Sequence, residues 1–244
     1  MPIALITGGG TGIGRAAGAA LVEAGFTVVL SGRRVETLEV AVAELPGAVA
    51  KTVDVSDADS VQVLFDFVVE KFGRLDLLFN NAGTGMMPTP IEDIALDAWR
   101  RVIDANVTGA FLCTQGAFNI MKSQKNKGGR IINNGSISAH VPRPLATAYT
   151  VSKHAITGLT KATSLEGRQH NIACGQIDIG NAATEITQMI SSGVLQADGR
   201  IAPEPTIPAE LVGRCVAQMA SLPLDANVQQ MTVMATTMPF IGRG

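Results

Sequence analysis

Short apolar runs alternate along the chain with longer segments in which apolar residues recur every three to four positions. The runs at 3–7, 27–31, 48–54, 75–80, 129–134 and 172–177 have the length and composition of buried strands, and 231–234 reads as a further edge strand. Between them the period predicts helices over 14–24, 34–44, 56–72, 96–123, 148–168 and 210–221. Such alternation predicts an α/β fold: a Rossmann-type doubly wound parallel sheet with right-handed crossovers and helices on both faces, a three-layer sandwich. Sheets of this type bind ligands beyond the carboxyl ends of their strands, where the strand order reverses. The loops after Thr7, Ser31, Asp54, Asn80, Asn134 and Ile177 are therefore expected to line one cleft.

The segment 184–208 breaks the alternation: it is polar and closes on Pro203, Pro205 and Pro208. It is expected to form a lid over the cleft, with a short helix near 185–190; a surface excursion is the competing reading. The whole length, 244 residues, suits one α/β domain over 1–244.

Composition narrows the function. Hydrophobic residues at 46 % and charged residues at 16 % support an ordinary core and exclude a disordered chain. No apolar run reaches membrane-spanning length, so no membrane partner is expected. A net charge of -2 argues against a nucleic-acid partner held through phosphates. The one basic stretch, Lys122, Lys125, Lys127 and Arg130, reads as a solvated helix end. Cys113, Cys174 and Cys215 are far apart, odd in number and without metal-ligand spacing, so no metal site or disulfide is expected. With the chain opening directly into a strand and no leader pattern, a cytoplasmic location is expected.

After the first strand comes Thr7-Gly8-Gly9-Gly10-Thr11-Gly12-Ile13-Gly14-Arg15. Glycines here permit positive φ and let the backbone approach a pyrophosphate, while the free N–H groups of the next helix face the anion. The Lys-Ser/Thr ending of a triphosphate loop is missing. Gly8, Thr11, Gly12, Ile13 and Gly14 are the candidate contacts.

Tyr149 and Lys153 lie four residues apart on a predicted helix, hence on one face and one turn apart. A free phenol, with a pKa of about 10, is a poor proton acceptor near neutrality. A neighbouring ammonium favours the phenolate, so the pair can serve as general base toward an alcohol or general acid toward a carbonyl. Ser136, after the fifth strand, offers a hydroxyl to the reacting oxygen. Ser138 is a nearby competitor, expected to shape the pocket or bond locally.

Taken together, Thr7-Gly8 with Gly12 and Gly14, the Asn80-Asn81-Ala82-Gly83 turn, and Tyr149 with Lys153 resemble the short-chain dehydrogenase/reductase family over almost the whole chain. The resemblance implies an enzyme that transfers a hydride between a nicotinamide and a small carbonyl or secondary-alcohol substrate. It assigns Tyr149 to proton transfer, Lys153 to the Tyr149 hydroxyl and the nicotinamide ribose, and Ser136, thirteen residues before Tyr149, to the substrate oxygen. Asn106 would hold a water beside Lys153. Asp54 and Val55 would contact adenine, and Asn81, Ala82 and Gly83 would border the cofactor. Gly180, Ala182 and Thr184 would anchor the carboxamide, although Ile179 stands where the family's turn has proline and Ala182 replaces a larger apolar residue.

NAD-preferring relatives carry an acid near the position of Gly32; here Gly32 is followed by Arg33 and Arg34. A guanidinium can fork onto a 2′-phosphate. NADP(H) is therefore expected over NAD(H), with Arg33 as the reader, Arg34 opening the next helix and Arg15 able to assist; an exposed helix start is the competing reading of the pair. His140 and Arg143 fall between Ser136 and Tyr149 and are expected to border the substrate; Arg143 is expected to be solvent-exposed, with attraction of an acidic substrate as the competing reading. His154 should point off the catalytic face, and His170 reads as a loop residue. The resemblance also implies a homodimer or homotetramer. Two other functions share these motifs: an epimerase or dehydratase that retains its cofactor, and a nicotinamide-binding sensor or scaffold without turnover.

Overall fold

The computed structural model describes residues 1–184 and 193–241. One sheet holds seven strands: β1 (Ile3–Thr7), β2 (Thr27–Gly32), β3 (Val49–Thr52), β4 (Leu77–Asn80), β5 (Gly129–Asn134), β6 (Ile172–Ile179) and β7 (Gln230–Val233). Their order is β7-β6-β5-β4-β1-β2-β3, and every neighbouring pair is parallel. Because β1 lies between β2 and β4, the order reverses there and opens a crevice at the carboxyl edge.

Helices α1 (Gly12–Glu23), α2 (Val35–Ala43) and α7 (Ala209–Ser221) cover one face; α3 (Ala58–Phe72), α5 (Gly109–Ser123) and α6 (Thr147–Gly167) cover the other. The period-two rule divides each strand between two cores. In β1, Ala4 and Ile6 pack with Ala17, Leu21 and Val212, while Leu5 packs with Leu64, Cys113 and Ala117. That explains why the central strands read as unbroken apolar runs. Helix α3 shows how local chemistry sets an element. The Asp57 side chain accepts from the Asp59 N–H, and Gly73 ends the helix at φ 66.

Several boundaries differ from the sequence reading. The third strand stops before Asp54, whose N–H donates to the Ser60 hydroxyl at 3.0 Å. The sixth runs on to Ile179 because β7 pairs with it up to Val233. The helix expected over 96–123 is interrupted: α4 (Leu96–Ile103) passes through a π turn, Asp104–Thr108, before α5 begins. There the Gly109 N–H reaches back five residues to the Asp104 carbonyl. The basic stretch also divides. Lys122, Lys125 and Lys127 are exposed, but Arg130 is buried at the start of β5. Its guanidinium donates to Asn227 Oδ1 and to the carbonyls of Leu222, Pro223 and Ala226, so it caps the chain after α7 instead of facing solvent.

Beyond β6, Val194–Leu195 pairs antiparallel with Ile201–Ala202, and Ile207–Pro208 pairs with Ala182–Ala183. The helix expected near 185–190 lies outside the described residues. Among the described residues, no helix is long and apolar enough to cross a membrane.

Candidate active site

The crevice between β1 and β4 is held by a staple of side chains. The Thr7 hydroxyl accepts the N–H groups of Asn81 at 3.0 Å and Ala82 at 2.9 Å. The Asn81 amide donates to the carbonyls of Thr7 and Gly8, and its oxygen accepts from Asn134 Nδ2 at 2.9 Å. Three loops from β1, β4 and β5 are thereby fixed to one another. The glycine turn needs its glycines for two reasons. Gly8 and Gly12 have φ of 64 and 52, and a Cβ on Gly14 would stand 2.1 Å from the Gly8 carbonyl.

Helix α1 begins directly after this turn with Thr11 at its N-cap, whose side chain makes no capping bond, and no acid stands in the first turn. An uncapped helix terminus facing a glycine turn is the arrangement that accepts a phosphate. Ile13 packs inward on the core, and Thr184 lies across from the turn: a Cβ on Gly12 would meet its methyl group at 3.1 Å. The pyrophosphate of a dinucleotide fits this cradle. Gly180 and Ala182 contribute differently from Thr184. The Gly180 N–H is bonded to the Val233 carbonyl at 2.9 Å, and Ala182 is buried in the short bridge to Ile207.

Arg33 is exposed just after β2, and among the described residues no carboxylate closes an ion pair on it. Arg15, by contrast, is paired with Glu44. Asp54 accepts from the Ser56 hydroxyl at 2.6 Å and the Ser56 N–H at 3.0 Å. The hydroxyl bond, with a lesser pull from the Arg33 charge, holds its carboxyl below the usual range. Val55 beside it is buried.

On α6, the Lys153 ammonium lies 5.5 Å from the centroid of the Tyr149 ring and donates to the Asn134 carbonyl at 2.7 Å. That carbonyl ends β5, two residues before Ser136. Ser136 caps the short turn Ile137–Ala139, and its oxygen accepts the Ser138 N–H at 3.1 Å. Ser138 therefore bonds locally, through its backbone. Asn106 is buried in the π turn. Its oxygen accepts the Thr84 N–H at 2.7 Å, and its amide donates to the Thr84 carbonyl and to the Ser152 hydroxyl. Gly83 passes so close that a Cβ there would lie 3.1 Å from the Asn106 oxygen. His154 is exposed, its ring bonded to the Thr150 carbonyl one turn back. Burial pushes the thiols of Cys113 and Cys174 up to about 12, which leaves them inert as nucleophiles. No cluster of metal-ligating side chains exists among the described residues.

Near the site, one expectation is corrected and one group is new. Arg143 is not solvent-exposed: it pairs with the buried Glu204 and donates to Asn181 Oδ1 at 2.8 Å. Asp178, wholly buried on β6, receives His140 and Gln230. Two polar residues, Gln176 and Asp178, in an otherwise buried apolar strand were the available signal.

A doubly wound parallel sheet with a phosphate cradle at its switch point, and a Tyr–Lys pair beside it, defines a dinucleotide-binding oxidoreductase. The chain belongs to the short-chain dehydrogenase/reductase family, enzymes that act on CH–OH and C=O groups with a nicotinamide cofactor: a family model described as short chain dehydrogenase matches residues 2–194. It is 35 % identical over 212 residues to a 3beta-hydroxysteroid dehydrogenase of Mediterraneibacter gnavus, covering 85 % of this chain and 76 % of that protein. It is 32 % identical over 238 residues to sulfoacetaldehyde reductase 2 of Chromohalobacter salexigens, covering 96 % and 94 %. A crystal structure of a 3-ketoacyl-(acyl-carrier-protein) reductase from Brucella melitensis, complexed with NADH, superposes with a TM-score of 0.85 at 25 % identity, covering 96 % of both chains.

Proposed function

We propose that the protein is an NADP(H)-dependent reductase or dehydrogenase of a small carbonyl compound or secondary alcohol, with Tyr149 as its proton-transfer group. The observation that carries this reading is the Lys153 ammonium, set 5.5 Å from the Tyr149 ring centroid and anchored on the carbonyl of Asn134, whose amide is bonded to Asn81. When bound, the nicotinamide gives or takes the hydride. The chain's own residues manage the proton and the charge. Tyr149 donates a proton to the reacting oxygen in reduction and removes it in oxidation. Lys153 sets a positive charge beside the phenol and reaches the ribose. Ser136 polarises the reacting oxygen: its Oγ already accepts from Ser138, so its own hydrogen is free to point at substrate.

The side chain of Asn106 is committed to Thr84 and Ser152, so it would support a water beside Lys153 by holding those groups in place. Gly8, Thr11, Gly12, Ile13, Gly14, Asn81, Ala82, Gly83 and Thr184 would border the dinucleotide, and Asp54 with Val55 its adenine. Gly180 and Ala182 would shape that wall by packing, since their backbones are engaged with β7 and Ile207. Arg33 would read the 2′-phosphate. A single domain over 1–244, a cytoplasmic site of action and a homodimer or homotetramer complete the proposal. Exposed Phe111 on α5, with Val151 and Leu165 on α6, offers apolar surface that a second copy would cover.

Tyr149→Phe tests the central claim. Turnover of carbonyl substrates should fall about 10²–10⁴-fold, while the NADPH dissociation constant, read by fluorescence titration, should change less than about twofold. Retained turnover would remove Tyr149 from the chemistry.

A further inference from the structure

We infer that Asp178 is a positioning residue that holds Ser136 in its productive geometry, with His140 and Gln230 completing its support. The inference rests on the proposed role of Ser136. Asp178 is fully buried near the carboxyl end of β6, and both of its oxygens are doubly engaged. Oδ1 accepts the Ser136 N–H at 3.0 Å and Gln176 Nε2 at 2.7 Å. Oδ2 accepts His140 Nε2 at 2.9 Å and Gln230 Nε2 at 2.6 Å. A buried carboxylate persists only when its lone pairs are met in this way.

The placement is specific to Ser136. The carboxylate lies against the bare backbone of Gly135, where a Cβ would stand 2.0 Å from Oδ1. With its N–H turned down onto Asp178 and its Oγ taking the Ser138 N–H, Ser136 has main chain and side chain fixed from opposite sides. Gln176 extends the same network to the Thr157 and Thr160 hydroxyls of α6, the helix that carries Tyr149 and Lys153. Asp178 thus ties the oxygen-polarising hydroxyl to the proton-transfer helix. His140, on the Ser136–Tyr149 segment, and Gln230, on β7, brace its far oxygen. A group that orients a polarising donor acts on turnover more than on binding, because the benefit is realised as charge develops.

A double-mutant cycle between Asp178 and Ser136 separates positioning from mere structural support. Rates are measured in single turnover with NADPH and a carbonyl substrate that the wild-type enzyme reduces. Asp178→Ala should lower the rate about 30-fold, with NADPH affinity within about threefold. Asp178→Asn keeps an oxygen for the Ser136 N–H but sets an NH2 toward His140 and Gln230, so its rate should fall between those of Asp178→Ala and wild type. In a Ser136→Ala background, Asp178→Ala should change the rate less than about twofold. Should Asp178→Ala not fold, His140→Ala at its half-exposed position runs the same cycle with an expected loss of about fivefold. An equal loss in both backgrounds, or wild-type turnover from Asp178→Ala while Ser136→Ala is impaired, overturns this inference alone. Wild-type turnover from Ser136→Ala overturns the role of Ser136 itself, and the inference with it.

Discussion

Arg33 carries the discrimination between the two nicotinamide cofactors in this proposal, and its setting suits the task. It stands exposed beyond the last residue of β2, with Asp54 the nearby charge it influences and no closed ion pair among the described residues. A guanidinium held in this way can fork onto a phosphate without first breaking another bond. Arg33→Ala should raise the Michaelis constant for NADPH about tenfold, the loss of one charge-assisted contact, and leave that for NADH within about twofold. Equal effects in steady-state kinetics would assign Arg33 to helix-start polarity. Arg15, already paired with Glu44, has less to offer a ligand.

The segment after β6 is held to the catalytic turn by a buried cluster. Glu204 accepts from Arg143, from Asn181 Nδ2 at 3.0 Å and from Gln196 Nε2 at 3.1 Å. Asn181 follows β6, Arg143 precedes α6, and Gln196 belongs to the short paired segment, so one carboxylate joins three stretches of chain. Removing one member of a buried pair costs about 3–5 kcal/mol because the partner charge is stranded. Glu204→Ala should therefore loosen the paired segment. Trypsin should cut at exposed Arg200 about tenfold faster or more, since proteolysis follows the population of open forms. Unchanged cleavage would show that Glu204 does not hold the segment down.

Across the whole molecule, the two cores on either face of the sheet carry a readable consequence for alkaline stability. Cys113 and Cys174 sit in the core beneath α3 and α5, where burial pushes their thiols up from 9.0 to about 12. Because the folded value is raised, this contribution is complete below pH 9. It is lost as pH rises toward 12, while the unfolded thiols ionise. Melting temperature should thus fall progressively above pH 9, and Cys113→Ala should flatten the fall by about one proton's worth of slope. In the native protein at pH 8, Cys215 alone should react with a thiol reagent within minutes, and all three cysteines should react in denaturant. Prompt reaction of three thiols would contradict the packing of the cores.

Features that depend on local spacing were legible in the amino-acid order. Apolar runs alternating with helical periods specified the parallel sheet and its two helical layers, because burial on both faces demands unbroken apolar strands. The glycine turn, the Asn81 turn and the Tyr149–Lys153 pair were readable because each is contiguous or one helical turn long. Contacts between distant stretches of chain were not legible there. Nothing in the local pattern joins Asp178 to His140, 38 residues away, or Arg143 to Glu204, 61 residues away. The helical period around Asn106 does not announce the π turn there, nor its side-chain bonds to Thr84 and Ser152. Arg130 reads as one more surface cation until the carbonyls after α7 close over it. Local spacing sets which side chains share a face; only the folded chain sets which polar groups must satisfy one another once water is gone.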